Sequence, residues 1–298
     1  MQPHWDDLRI FLAVSRETSL SGAGKRLRLD PATIGRRIAR LEAEMGVDLF
    51  AKSPQGYALS DIGQRLLVRA EEVEQAMQAA SEVSGAANEG LSGQIRLGAP
   101  DGSANYLLPQ VCAAISDENP DLDIQIVALP RVFNLSKREA DVVIGVSAPS
   151  ADGLHVQQLT DYKLHLMATR QYLRAHAPIQ SVEDLHQHRI IGYIPDMIFD
   201  SELDYLSKLG LKRVALSSNS VSVQINMVRQ GSGVGVVHDF AAAGIRGLRK
   251  ILPDQISLTR SFYLIRHKNE LQSARMNRFS ELLARGIADE VARLEALT

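Results

Sequence analysis

The sequence predicts an α/β protein with an all-helical front end, and three observations carry this. The first fifty or so residues hold apolar positions at helical spacing in three short runs. A heptad-like stretch follows from Ser60. From Gly93 onward, short apolar strands alternate with helical segments, which points to parallel sheet covered by helices on both faces. The 298 residues suffice for two or three domains, each with its own core.

Composition narrows the class. The chain is 45% hydrophobic and 23% charged, and it holds no run of eighteen apolar residues that could span a bilayer. Its start, "MQPHWDDLRIF", reads as neither a secretion signal nor a transit peptide. The single cysteine, Cys112, cannot form an internal disulfide and reads as a small buried hydrophobe rather than a nucleophile. The expectation is a cytoplasmic protein with no membrane partner. A net charge of -2 gives no hint of nucleic acid, but Leu20 to Gln55 carries seven basic against four acidic residues.

The elements follow in order. Asp6 and Asp7 suit a helix start, and Leu8, Phe11, Leu12 and Ser15 then repeat at helical spacing. A second helix covers about Ser21 to Leu27, with Leu20, Ala23 and Leu27 facing inward. After the tight turn "RLD", Asp30 is a good cap and Pro31 a good first helical residue. The third helix turns Ile34, Ile38, Leu41 and Met45 inward and ends at Gly46. Its apolar stripe leaves Arg36, Arg37 and Arg40 on other faces. Three short helices with a tight turn before the third form a helix-turn-helix, whose third helix enters the DNA major groove. "LFAKSPQGYALS" reads as a β-hairpin wing.

From Ser60, the positions Ile62, Leu66, Arg69, Val73, Met77, Ala80 and Ser84 form one seam along a long helix, which ends in "SGAANEGLSG". Pairing with a second copy is the simplest way to cover that seam. Beyond it, "QIRLGA", "DIQIVAL", "ADVVIGVS", "KLHLMAT", "RIIGYI", "VALSS", "GVGVV" and "SFYLIRH" read as strands. Helices are expected near 104–116, 202–208, 221–230 and 274–297.

The segment "LRIFLAVSRETSLSGAGKRLRLDPATIGRRIARLEAEMGVDLFAKSPQGYALSDIGQRLL" resembles the LysR-type transcriptional regulators, through "RRIARLE", "MGVDLF" and the late "LSDIG". The second half resembles them more loosely, through "GQIRLGA", "LLPQV", "ADVVIGV" and "QGSGVGVV". The resemblance implies a winged helix-turn-helix over 1–59 and a dimerising linker helix and hinge over 60–92. It implies an effector-binding domain over 93–298, built like periplasmic binding proteins from two α/β lobes. Lobe one is expected at 93–161 with 268–298, and lobe two at 162–267. It further implies a homodimer through the linker helix, assembly into homotetramers on double-stranded promoter DNA, and RNA polymerase as a further partner.

Two departures from the family pattern stand out. The turn into the third helix often reads Ser-Gln-Pro-Ala-Val-Ser, but here it is Asp30-Pro31-Ala32-Thr33-Ile34-Gly35. The wing commonly carries arginine, but here it offers Ala51-Lys52 and neutral Gln55. Operator preference therefore does not transfer from relatives.

Arg36 and Arg37 are the first DNA-contact candidates, because a guanidinium grips guanine bidentately and also neutralises phosphate. Ala32 and Thr33 face phosphate or a thymine methyl; Ser21, Lys25 and Lys52 are phosphate candidates. Arg40 stands either on DNA or in an ion pair with Glu44 four residues on. A small-molecule effector, a small organic anion, is expected between the lobes, where strand ends meet helix starts. Gly102, Ser103 and Asn105 would offer it donors at a helix start. Ser147, Ile194, Pro195, Ser218, Asn219 and Ser222 end other strands or open a helix. His238 is expected to titrate near neutral pH. "GSGVGV" lacks the partners of a phosphate loop and reads as a turn into a buried strand. No metal or nucleophile motif is present, so no cofactor and no enzymatic role is expected. The alternative is a cytosolic solute-binding or sensor protein in which DNA binding is secondary.

Overall fold

The computed structural model describes residues 4–53, 56–83, 90–128, 140–211 and 213–298, and it divides into two compact units, 1–89 and 90–298. In the first unit, α1 (Trp5–Glu17), α2 (Leu20–Leu27) and α3 (Pro31–Met45) precede a hairpin of β1 (Phe50–Ser53) and β2 (Gly56–Leu59). The long helix α4 (Asp61–Val83) follows. Asp30 caps α3 by accepting the Ala32 N–H at 2.8 Å, and Gly46 ends it at φ +67°. Phe11, Leu12, Ile34, Leu41 and Leu49 are fully buried together. The expected inward stripes of all three helices therefore meet in one core.

Two features brace that core from outside the apolar pattern. The carboxylate of Glu42 is buried and accepts the N–H groups of Leu49 (2.9 Å) and Phe50 (3.2 Å), which fixes where the wing begins. Arg16 reaches across to Glu74 of α4 at 2.7 and 3.2 Å, with only 5% of its side chain exposed. The seam expected on α4 divides. Ile62 and Leu66 pack onto the three-helix core, whereas Val73 and Met77 face outward and Arg69 pairs with Glu72. The side chain of Ala80, along with Ser84 and the expected hinge over 84–89, lies outside the described residues.

The second unit is built on a nine-stranded mixed sheet in the order β4-β3-β5-β11-β6-β9-β7-β8, with β10 also on β6. The strands are β3 (Gly93–Ala99), β4 (Leu122–Ala128), β5 (Val142–Gly145), β6 (Leu154–Thr169), β7 (Ile190–Gly192), β8 (Leu216–Ser217), β9 (Val234–His238), β10 (Leu248–Lys250) and β11 (Ser257–His267). The helices are α5 (Asp101–Tyr106), α6 (Leu108–Glu118), α7 (Arg170–Ala175), α8 (Val221–Arg229), α9 (Asp239–Ala242) and α10 (Ala274–Glu295). Parallel pairs flank the sheet at β4-β3-β5 and at β9-β7-β8. Between them, β6 and β11 run antiparallel to each other and to their neighbours, so the sheet is mixed where parallel strands were expected. Tyr263–Ile265 of β11 pair with β5, while Leu164–Met167 of β6 pair with β9. Two strands thus pass through both halves.

Other expectations are corrected locally. The helix expected over 104–116 is two helices, broken at Leu107 ahead of Pro109 in the first turn of α6. The helix expected over 202–208 is a pair of 3-10 turns, where the Asp204 carboxylate takes the Ser207 N–H and hydroxyl and interrupts helical pairing. "GSGVGV" is indeed a turn into β9, every residue of which is buried. Burial pushes the Cys112 thiol up to about 12, which leaves it unreactive at neutral pH.

The "LSDIG" signature has a packing cause. A methyl group at Gly63 would stand 2.1 Å from the Leu49 carbonyl oxygen, so only glycine lets α4 start against the wing. Gly63→Ala is expected to destabilise the first unit by about 1–3 kcal/mol. Urea unfolding followed by fluorescence of Trp5, the only tryptophan, measures this.

Candidate functional site

Two groups of expected site residues are built separately, one in each unit. In the first, Ser21, Lys25, Ala32, Arg36 and Arg40 are exposed and Thr33 is half-buried. Among the described residues, the Arg36 guanidinium makes one bond, to the Thr33 hydroxyl at 3.2 Å. Lys52 lies on β1, but its side chain is outside the described residues.

Arg37 and Arg40 have a second task. Arg37 Nε donates to Asp7 Oδ1 at 2.7 Å, and Arg40 Nη2 donates to Asp7 Oδ2 at 2.5 Å. Asp7 is 1% exposed. Arg40 therefore pairs with Asp7 of α1, not with Glu44 by a hydrogen bond, and Asp7 does more than open a helix. Burial alone would raise the Asp7 pKa, but hydrogen bonds from Arg40 and Arg37 outweigh it and hold the carboxyl below its usual range. Spacing along the chain carried no sign of this, because the partners are thirty and thirty-three residues apart.

In the second unit the carboxyl ends of the strands converge. A methyl group at Gly102 would lie 3.5 Å from Val221 and 3.9 Å from His238 Cε1, so the starts of α5 and α8 meet the end of β9. Ser147, beyond β5, donates to Asp200. Ser222 donates from both its N–H (2.8 Å) and its hydroxyl (3.0 Å) to Asp101, and Ser220 does so from its hydroxyl at 3.0 Å. Asn105 donates to the other Asp101 oxygen at 3.1 Å, and Ser103 turns back to the Pro100 carbonyl. Of the residues expected to line the effector site, Asn105 and Ser222 thus already hold a carboxylate from the chain, while Ser103 does not. Ser218 accepts from the Ser220 N–H and, through its carbonyl, from Gln224. Among the described residues, Ile194, Pro195 and Asn219 make no hydrogen bond to this group.

His238 departs from its expected role. It is 5% exposed, stacks on Tyr162 at 5.5 Å between ring centroids, and leaves Nδ1 without a partner. Burial pushes its pKa down to about 4, against the weaker opposing pull of Asp239 and Asp101, so the ring is neutral at pH 7. Sequence reading also missed Tyr193, Tyr205 and Arg260. The Tyr193 and Tyr205 rings lie 6.0 Å apart, and the Arg260 guanidinium stands 5.9 Å from the Tyr205 ring centre. Burial raises the pKa of both phenols. Isolated tyrosines between strands carry no periodic signal that marks them. Among the described residues, no group of three or more His, Cys, Asp or Glu is placed to hold a metal, and no helix is long and apolar enough to cross a membrane.

The first unit is thus a helix-turn-helix with a wing and a long helix, and the second a mixed sheet in two halves. Family models agree: residues 5–64 match the bacterial regulatory helix-turn-helix of the lysR family, and residues 88–288 match the LysR substrate binding domain. The chain belongs to the LysR-type transcriptional regulators.

Among its relatives, CrgA of Neisseria meningitidis is 25% identical over 65% of this chain, and the match spans 64% of CrgA, just under two thirds. PtxR of Pseudomonas aeruginosa is 25% identical over 96% of this chain and 94% of its own. Among solved structures, a full-length single-residue variant of OxyR from Pseudomonas aeruginosa is 18% identical with a TM-score of 0.72, covering 96% of this chain and 95% of that one. LysG from Corynebacterium glutamicum, with bound effector Arg, is 17% identical with a TM-score of 0.64, covering 98% and 99%. At such identity the structures share the fold.

Asp7→Asn is expected to lower the stability of the first unit by about 1.5–3 kcal/mol at pH 7. A carboxyl held low in the folded state contributes fully above its unfolded pKa of about 3.9, and the contribution is lost as pH falls through the folded value. Urea midpoints in the acid range should therefore fall more steeply for the wild type than for the variant. For His238, the buried neutral ring costs stability as pH falls from about 6.5 to about 4, because only the unfolded chain takes up the proton there. An NMR titration should show its ring resonances unmoved at pH 6, where an exposed histidine is already shifting.

Proposed function

We propose that this protein is a sequence-specific DNA-binding transcriptional regulator whose grip on, or bending of, promoter DNA is modulated by a small molecule bound between the two halves of its second unit. The observation that carries the reading is the first two turns of α3. Ala32 and Arg36 are exposed there, on a helix whose opposite stripe is buried in the three-helix core. Arg36 is the groove-reading residue. Arg37 and Arg40 divide their guanidiniums between Asp7 and the DNA backbone, and Ser21, Thr33, Lys25 and Lys52 contact phosphate. Val68, Val73 and Met77, exposed along α4, supply the face for a second copy, and pairs of dimers form the tetramer.

In this reading the lobes are 93–161 with 268–298 and 162–267, joined through β6 and β11. The protein works in the cytoplasm, needs no resident cofactor, catalyses no reaction and acts through RNA polymerase. LysG, of the same family, is recorded with an effector bound, which supports the ligand half of the reading. The ligand shifts the DNA-bound arrangement only as far as it binds one arrangement more tightly than the other.

A gel shift with the DNA upstream of its own gene tests this. Arg36→Ala is expected to weaken binding about tenfold or more and, where Arg36 also meets phosphate, to lower the salt slope by about 1. Undiminished binding by this variant, its helix content intact by circular dichroism, would remove Arg36 from the interface.

A further inference from the structure

We propose that Asp101 is a tethered internal ligand: its carboxylate fills the anion seat at the start of α8 and joins the two halves of the cleft, so that this regulator takes a neutral or cationic effector rather than a carboxylate. The inference rests on the cleft being the effector site.

Asp101 opens α5, directly after β3 of one half, and α8 packs among β7 and β9 of the other. The carboxylate therefore crosses between segments about 120 residues apart in sequence. It is fully served. Oδ2 accepts from Ser220 Oγ, Ser222 N and Ser222 Oγ, and Oδ1 accepts from Asn105 Nδ2. The Ser220 hydroxyl also accepts the Val223 N–H at 3.3 Å, as the cap of the helix. An entering carboxylate would find these donors taken and a like charge among them, which repels it.

The groups left over point to another chemistry. His238 is buried and uncharged beside Gly102, and its Nδ1 has no hydrogen-bond partner among the described residues, while the buried Tyr205 hydroxyl interacts with Tyr162. Glu202 already matches the Arg260 guanidinium at 2.7 Å. What remains is the Nδ1 of His238, without a hydrogen-bond partner among the described residues, beside the buried rings of Tyr162 and Tyr205. Such surroundings suit a neutral hydrogen-bonding molecule or an amine.

Chemical rescue in the full-length protein tests this. Hydrogen exchange is followed in the peptide spanning Ser218 to Gln224. In Asp101→Ala, exchange is expected to rise about tenfold or more, because the Ser222 amide and the Ser220 and Ser222 hydroxyls that hold the start of α8 lose their acceptor. Added acetate or formate should restore most of the protection, whereas chloride at equal ionic strength should not. The wild type should respond to neither. Asp101→Asn keeps the shape and serves if the alanine variant does not fold. It should exchange faster than wild type and be insensitive to acetate, because the seat is still filled. Acetate protecting the wild type as strongly as the alanine variant, or unchanged exchange in both variants, would overturn the proposal, as would no acetate rescue in a folded alanine variant. Promoter binding is scored separately by gel shift: its absence would refute the regulator reading and leave the exchange result standing.

Discussion

A carboxylate withdrawn from water has to be met by positive charge or hydrogen-bond donors, and Asp7 places that demand on the helix expected to read DNA. Asp7 sits at the base of α1 with almost no exposure, and α3 answers it with Arg37 and Arg40. The apolar stripe of α3 sets which side of the helix faces the core. The Asp7 pairing then limits how the helix can rotate within that contact, because two guanidiniums must reach one carboxylate. Arg36 is left pointing away from the core with a single local hydrogen bond. The structural need therefore falls on two of three arginines that look alike in the sequence.

The second unit solves a different problem. Two flanking groups of parallel strands could each form a separate sheet, but β6 and β11 run through both and pair with β9 on one side and β5 on the other. Movement between the halves must then be accommodated within these two strands. The register of β11 against β6 shifts between Phe262 and Tyr263, close to where β11 passes from β6 alone to the stretch it shares with β5. That irregularity lies next to Tyr162, which stacks on Phe262 at 4.1 Å and on His238. The crossing strands and the floor of the cleft are the same piece of structure.

Most of the first unit was legible in the sequence, because its information is local. Asp30, Pro31 and Gly46 mark the ends of α3 within their own turns, and the stripe of Ile34, Ile38 and Leu41 repeats at one period. The long-range ties were not legible: Asp7 with Arg37, Glu42 with the wing, and Arg16 with Glu74 each join residues whose spacing fits no period. In the second unit, strands with continuous apolar runs, such as β3 and β9, were found. The first half of β6, "LHVQQLTDY", is too polar to show alternation, and its absence made the sheet look wholly parallel. The strand ends that bring Gly102 beside Val221 and His238 were legible as well. The tie from Asp101 to Ser220 and Ser222 was not, because the aspartate beside Gly102 looked like an ordinary helix opener.

The bidentate tie from Arg16 to Glu74 bears on how a signal could travel. A helix attached only through apolar side chains can roll on its neighbour, since such contacts exchange partners at little energetic expense. A two-pronged ionic contact set into a largely dry position resists that rolling. With Ile62 and Leu66 bedded in the same core, α4 behaves as a keyed shaft: torque applied to its far end is delivered to the three-helix head instead of being dissipated as slippage at the joint.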